Sequence, residues 1–280
     1  MNFALVLIPE KGNPAGSGLN DVREPLLYAL RTLGHTAELV DSGIARHARN
    51  IVFGLHDMPK LDQNLFPPDT IIYNLEQITA GSRALEPHYL DALQRFTVWE
   101  YSARNLERLR DLIKAPRCVH VPLGYMPQMR RINPDYPKDI DVLLYGFPNT
   151  RRMLVMDELK RRRINALIAC GVYGEQRDGL IARSRLQLNV HFYKPGILEV
   201  VRLSYLLANA LPVVSELNPD TEMISGFEHT CFFTAYDDLA DVVENALGNA
   251  AACRKQAEKG HALFKAMPYT DIVECALDAG

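Results

Sequence analysis

Apolar residues along this chain alternate between two spacings. FALVLI (3–8), TAELV (36–40), NIVFG (50–54), TIIYNL (70–75), FTVWEY (96–101) and CVHVPL (118–123) are short apolar runs that read as strands. Runs rich in Val and Ile with little polar alternation suit a sheet covered on both faces. After Asn20-Asp21 the spacing changes: Val22, Leu26, Leu27, Leu30 and Leu33 lie on one helical stripe, closed by Gly34-His35. A charged helix is expected over 103–113. Strands alternating with helices predict a doubly wound α/β unit over residues 1–125.

Residues 126–139 (MPQMRRINPDYPKD) carry three prolines and no period, which marks a candidate linker. The rhythm then restarts over 140–280. IDVLLYG (140–146), INALIAC (164–170), RLQLNVHF (185–192), LPVVSE (211–216) and TCFFTA (230–235) read as strands. Helices are expected over 151–163 and 198–210, then over a segment capped by Asp237, and finally near 249–265 and 270–278, the last packing back on the first domain. The predicted architecture is α/β, two Rossmann-like doubly wound domains facing a cleft.

Composition narrows the class. With 48% apolar and 23% charged residues among 280, the chain can build cores, which excludes a disordered or low-complexity protein. A net charge of −3 gives no global basic field for nucleic acid. No apolar run approaches the roughly 20 residues of a membrane helix, and MNFALVLIPEKGN reads as a first strand, not a leader. Cys118, Cys170, Cys231, Cys253 and Cys275 are scattered and odd in number. They predict reduced thiols, a cytoplasmic setting and no zinc site.

In open α/β sheets ligands gather beyond the carboxyl ends of strands. The loop PEKGNPAGSGLND (9–21) matches neither a dinucleotide fingerprint nor a P-loop, although Gly12, Gly16 and Gly18 would admit a substrate close to the backbone. YGFPNTRR (145–152) joins a strand to a helix. It places Gly146, Asn149 and the first-turn amides where phosphate binds, with Arg151 and Arg152 as charge-assisted partners or as a solvated basic helix end. GVYGEQRDG (171–179) brings Tyr173 and Gly174 to a turn, with Arg177 and Asp178 expected on the surface. NVHFYKPGILEVVRLSYLLANALPVVSE (189–216) is the richest segment: His191 ends a strand, Gly196 lies in a loop, and Glu199 and Arg202 open an apolar helix. Glu199 suits either the helix dipole or vicinal hydroxyls.

Taken in order, DVLLYGFPNTRR, GVYGEQRDGLIARSRLQLNVHFY and LEVVRLSYLLANALPVVSE resemble the carboxyl-terminal half of GT-B glycosyltransferases, in particular the bacterial spore-maturation-type group. The resemblance covers about residues 140–235 and extends to the first half only in its α/β rhythm. Retaining members commonly carry two glutamates around a PFG-like loop. Pro195-Gly196-Ile197-Leu198-Glu199 matches its later part, which gives Glu199 the ribose role, while the earlier glutamate position falls near His191 or Phe192. The resemblance implies a nucleotide-diphosphate sugar on the second half and an acceptor on the first, with Arg151, Arg152 and Arg202 as candidates for the diphosphate.

Arginines and helix amides can stabilise a leaving diphosphate without metal. The one DxD-like motif, Asp139-Ile140-Asp141, starts a strand and reads as structural. Metal independence and the absence of a cofactor are therefore expected. An inverting enzyme would need a base at a strand end of the first half. His56 and Glu76 are level candidates, and Glu100 with Gly16 and Gly18 are expected to touch the acceptor. A nucleotide-sugar epimerase and a non-catalytic two-lobed nucleotide-binding module are the alternatives. The chain is short for two full halves, which leaves room for a partner or a homo-oligomer.

Overall fold

A computed structural model describes residues 1–8, 14–41, 43–57, 62–79, 82–113, 117–192 and 196–279. The chain divides into two compact units, one formed by Met1–Met126 with Pro268–Gly280 and the other by Pro127–Met267.

The first unit is built on a six-stranded parallel sheet: β1 (Asn2–Leu7), β2 (Thr36–Val40), β3 (Arg49–Phe53), β4 (Ile71–Asn74), β5 (Thr97–Glu100) and β6 (Cys118–His120), in the order β2-β1-β3-β4-β5-β6. Phe3 to Leu7 are all buried, as a strand covered on both faces requires. Helices α1 (Asn20–Thr32), α2 (Pro87–Arg95) and α3 (Ala103–Leu112) connect the strands. The α1 stripe buries Val22, Leu26, Leu27 and Leu30. On the same helix, Arg23 is buried and donates to the carbonyls of Leu5 (2.9 Å) and Val40 (3.2 Å), tying the ends of β1 and β2.

The second unit carries a five-stranded parallel sheet: β7 (Ile140–Tyr145), β8 (Ala166–Ala169), β9 (Ser184–Asn189), β10 (Val213–Glu216) and β11 (Phe232–Thr234), in the order β11-β10-β9-β7-β8. Helices α4 (Thr150–Arg161), α5 (Gly174–Arg183), α6 (Val200–Ala208), α7 (Leu239–Leu247) and α8 (Ala250–Lys265) belong to it, and α9 (Tyr269–Asp278) completes the first unit. Both sheets are Rossmann-like. Each has a switch point where successive connections leave in opposite directions, between β1 and β3 in one and between β7 and β9 in the other.

Four differences from the sequence reading have local causes. Helix α2 carries only three buried side chains, Tyr89, Ala92 and Leu93, too few to show a period. Of the glycine-rich loop, 9–13, with Gly12, lie outside the described residues, and Pro14–Leu19, with Gly16 and Gly18, form a 3-10 helix rather than an open loop. The proline-rich stretch is packed rather than free-standing. Met129 and Ile132 are buried, and Asn209 Oδ1 accepts the amides of Arg131 (2.7 Å) and Ile132 (2.9 Å). Asp237 lies in a 3-10 turn, and Asp238 precedes α7 without a side-chain cap. All five cysteines are unpaired, and no helix among the described residues is long and apolar enough to cross a membrane.

Candidate functional site

In the second unit, the carboxyl ends of β7, β9 and β10 bring together most of the residues expected to hold a donor. Asn149 caps α4. Its Oδ1 accepts the Arg152 amide (2.9 Å) and its Nδ2 donates to the Phe192 carbonyl (2.9 Å), joining the start of α4 to the chain beyond β9. The amides of Thr150 and Arg151, at the first two positions of the helix, have no intrahelical acceptor and face the positive end of the dipole. That is an anion-binding arrangement.

Glu199 stands immediately before α6, as its N-cap residue and not inside the first turn. Its Oε1 accepts from Arg152 Nη2 (2.9 Å) and the Phe192 amide (3.1 Å), and its Oε2 accepts from Arg202 Nη1 (2.5 Å). Burial pushes the carboxyl up, but the Arg202 and Arg152 guanidiniums overcome it and hold the pKa down to about 2. The group is therefore anionic at neutral pH. A carboxylate offers about four lone-pair positions, so with three accepted bonds it keeps capacity for a hydroxyl.

The three arginines differ in role. Arg152, expected at phosphate, is only 2% exposed and is committed to protein acceptors: Nε donates to the Val190 carbonyl (2.9 Å) and Nη1 to the Phe147 carbonyl (2.8 Å), besides its bond to Glu199. Its place is to hold Glu199 and the loop after β7. Arg151 pairs with Glu216, and its Cζ lies 4.1 Å from the Tyr236 ring centroid. Arg202, the weaker candidate by sequence, directs Nη1 to Asn189 Oδ1 (2.5 Å) as well as to Glu199, and among the described residues its Nη2 has no protein acceptor. Gly146 explains where that group points. Its φ is +131°, and a Cβ there would fall 2.8 Å from Arg202 Nη2 and 3.3 Å from Arg152 Nη1. The absent side chain leaves a notch at the end of β7 that two guanidiniums border.

Sequence reasoning missed Glu216. It ends β10 fully buried and accepts from Arg151, from Asn218 Nδ2 (2.6 Å) and from the His191 amide (2.9 Å). An acid at the carboxyl end of a buried strand was the available signal. His191 is 2% exposed, and among the described residues neither ring nitrogen has a hydrogen-bond partner. An unsatisfied buried polar side chain costs about 1–3 kcal/mol, so this imidazole is a point where a bound ligand would gain. Gly196 accepts the Glu222 amide (3.1 Å) and Ile197 pairs with Glu222, which fixes the approach to Glu199, while Pro195 lies outside the described residues.

Tyr173 precedes α5 half-buried, and Gly174 opens that helix exposed. Among the described residues, no hydrogen bond or ion pair joins either to Glu199. Arg177, expected on the surface, is buried: its Cζ lies 4.0 Å from the ring centroid of Tyr205 and 5.7 Å from that of Tyr145, and Asp178 neutralises it. Asp139 and Asp141 sit at the start of β7, paired with Arg183 and Arg185. Among the described residues no three metal-ligating side chains gather.

In the first unit, His56 and Glu76 follow the adjacent strands β3 and β4 and meet, with His56 Nε2 3.4 Å from Glu76 Oε1. Glu100, expected at the acceptor, is instead fully buried. It accepts from Asn74 Nδ2 (2.6 Å), the Ser102 amide (3.0 Å) and Asn105 Nδ2 (3.0 Å), so its carboxylate serves the interior. Gly16 and Gly18 lie in their 3-10 helix, Pro14–Leu19.

No family model matches this chain. Two curated relatives are uncharacterized proteins of Acanthamoeba polyphaga mimivirus. L140 is 26% identical over 190 residues, 64% of this chain and 59% of its own length; L137 is 25% identical over 195 residues, 65% of this chain and 25% of its own length. The chain thus spans only part of either. Among solved structures, Anabaena HepE in complex with UDP-glucose superposes with a TM-score of 0.62 at 12% identity, covering 99% of this chain and 98% of that one. WaaG, a glycosyltransferase of lipopolysaccharide biosynthesis, gives 0.58 at 11%, covering 99% of each chain. TarM gives 0.59 at 10%, covering 90% of this chain and 57% of its own. These likenesses establish the fold: two parallel-sheet, Rossmann-like α/β units of the GT-B glycosyltransferase type.

Proposed function

We propose that this chain is a metal-independent glycosyltransferase that takes a nucleotide-diphosphate sugar on its second unit and transfers the sugar to an acceptor served by its first. One observation carries the reading. At the β7/β9 switch point, an anionic Glu199, the Arg202 guanidinium beside the Gly146 notch and the amino end of α4 converge. A nucleotide-diphosphate sugar has complementary parts, with ribose hydroxyls for the carboxylate and a diphosphate for the cation and amides. As the glycosidic bond breaks, negative charge grows on that diphosphate, and preorganised donors there lower the barrier.

The ordered motifs over 140–235 favour a relation to the spore-maturation-type group, and five unpaired thiols suit a reducing cytoplasm. UDP and UDP-glucose, which the Anabaena structures hold, are the first ligands to try. Binding without metal predicts that each raises the melting temperature equally with and without EDTA. Absence of stabilisation by UDP, GDP and dTDP and by their glucose conjugates would remove the reading.

A further inference from the structure

We infer that Asn189 is a positioning residue: held by Ser215, it keeps Arg202 from closing a two-bond fork on Glu199 and so leaves that arginine a donor for the diphosphate. The inference rests on the transferase reading above, and every residue in it belongs to the second unit.

Asn189 ends β9 fully buried. Leu186 and Leu188 pack into the core with Val155, Met156 and Leu159 of α4, so alternation along the strand turns Asn189 to the other face of the sheet. A buried amide is costly unless its ends are paired, and here both are. Arg202 Nη1 donates to Asn189 Oδ1 (2.5 Å), and Asn189 Nδ2 donates to Ser215 Oγ (2.9 Å) on the neighbouring strand β10. The Ser215 hydroxyl donates onward to the Glu216 carbonyl (3.3 Å). The polarity of this chain is fixed from both ends. A guanidinium only donates, so Asn189 must offer it oxygen and turn nitrogen toward Ser215. A carbonyl only accepts, so the single hydroxyl proton of Ser215 goes to Glu216 and its oxygen receives the amide.

Arg202 Nη1 also donates to Glu199 Oε2 (2.5 Å). Such a nitrogen carries two hydrogens, and with both in use their directions set the plane of the guanidinium. Tyr145 braces that plane, its ring centroid 5.3 Å from Arg202 Cζ. Nη2 is then left at the Gly146 notch, 2.8 Å from where a Cβ would stand. Arginine and carboxylate frequently join by two parallel bonds. Without the Asn189 oxygen, Nη1 and Nη2 would turn together onto Glu199, and the notch would lose its donor.

The test uses the full chain with UDP, GDP and dTDP, each set against its own nucleoside. N189A should weaken nucleoside diphosphate binding about tenfold, the lower end for a charge-assisted hydrogen bond. Nucleoside affinity should stay within about twofold of the parent, which also shows that the variant folds. S215A, which frees the amide to turn over, should act in the same selective way by about threefold, and serves if N189A does not fold. In an R202M background nothing remains to be held, so N189A or S215A should cause no further loss; a general loosening of the site would weaken binding in both backgrounds. A crystal structure of ligand-free N189A or S215A should show Arg202 Nη1 and Nη2 both on Glu199. Arg202 in its parent orientation there, an unchanged diphosphate affinity in both variants, or an equal loss with and without Arg202 overturns the inference and leaves the transferase reading standing. A parent chain that binds none of the three diphosphates overturns that reading instead, and the crystal still decides how Arg202 is held.

Discussion

Replacing Glu199 by Gln keeps the shape of the side chain and removes its charge, so the effect can be worked from the site itself. Glu199 falls from the ordinary 4.5 of a glutamate to about 2 in the folded protein, because the pull of Arg202 and Arg152 exceeds the cost of burial. At 1.36 kcal/mol per pH unit, that difference corresponds to about 3 kcal/mol of folded-state stability at neutral pH. The same scale follows from the partner's side. Arg152 would be left buried with an uncompensated charge, and breaking a buried pair from one end costs about 3–5 kcal/mol. A depressed carboxylate stabilises above its unfolded pKa and loses that contribution as pH falls through its folded one. The gap between parent and E199Q should therefore be full at pH 7, shrink below pH 4.5, and be less than half as large, about 1 kcal/mol, at pH 3. Urea unfolding of both proteins at pH 7 and pH 3, followed in the second unit, measures the gap. An equal gap at the two values would show that Glu199 is not held anionic by its arginines, and the account of the site would fail with it.

Other consequences are direct. H191A should bind UDP as the parent does but UDP-glucose about fivefold more weakly, by titration calorimetry, because one lost hydrogen bond to a ligand is worth about 1 kcal/mol. G146A should lose about 2 kcal/mol in urea unfolding along with most UDP affinity, since a side chain at φ +131° is strained and its Cβ would lie 2.8 Å from Arg202 Nη2. G260A sets two effects against each other in α8. Helix propensity favours Ala by about 1 kcal/mol, but the new Cβ would lie 2.3 Å from the Thr230 carbonyl oxygen, and displacing backbone costs more, so the melting temperature should fall.

The strands were legible because a sheet covered on both faces writes itself as runs of Val, Ile and Leu, and β2 begins and ends where the TAELV run does. The segment around Glu199 was legible as the start of an apolar helix, which α6 is. What escaped depends on contacts between distant positions. Nothing in the spacing of His56 and Glu76 shows that they touch; that follows only once β3 and β4 are neighbours. Arg177 read as surface because charge on a helix usually means solvent, yet two tyrosine rings and Asp178 make its burial tolerable. Arg152 read as a phosphate ligand because a basic residue at a helix start invites that role, whereas the carbonyls of Phe147 and Val190 take its donors first.

The return of α9 to the first unit has a consequence for biosynthesis. Tyr269 is 1% exposed, its hydroxyl meets that of Tyr73 (3.0 Å), and its backbone lies so close to Gly124 that a Cβ there would fall 2.6 Å from the Tyr269 Cα. The first unit is therefore closed only once α9, which follows the second unit in sequence, has been made. A chain cut before Tyr269 would leave Tyr73 and Gly124 of the first unit without the contacts of α9 while keeping every element of the second unit.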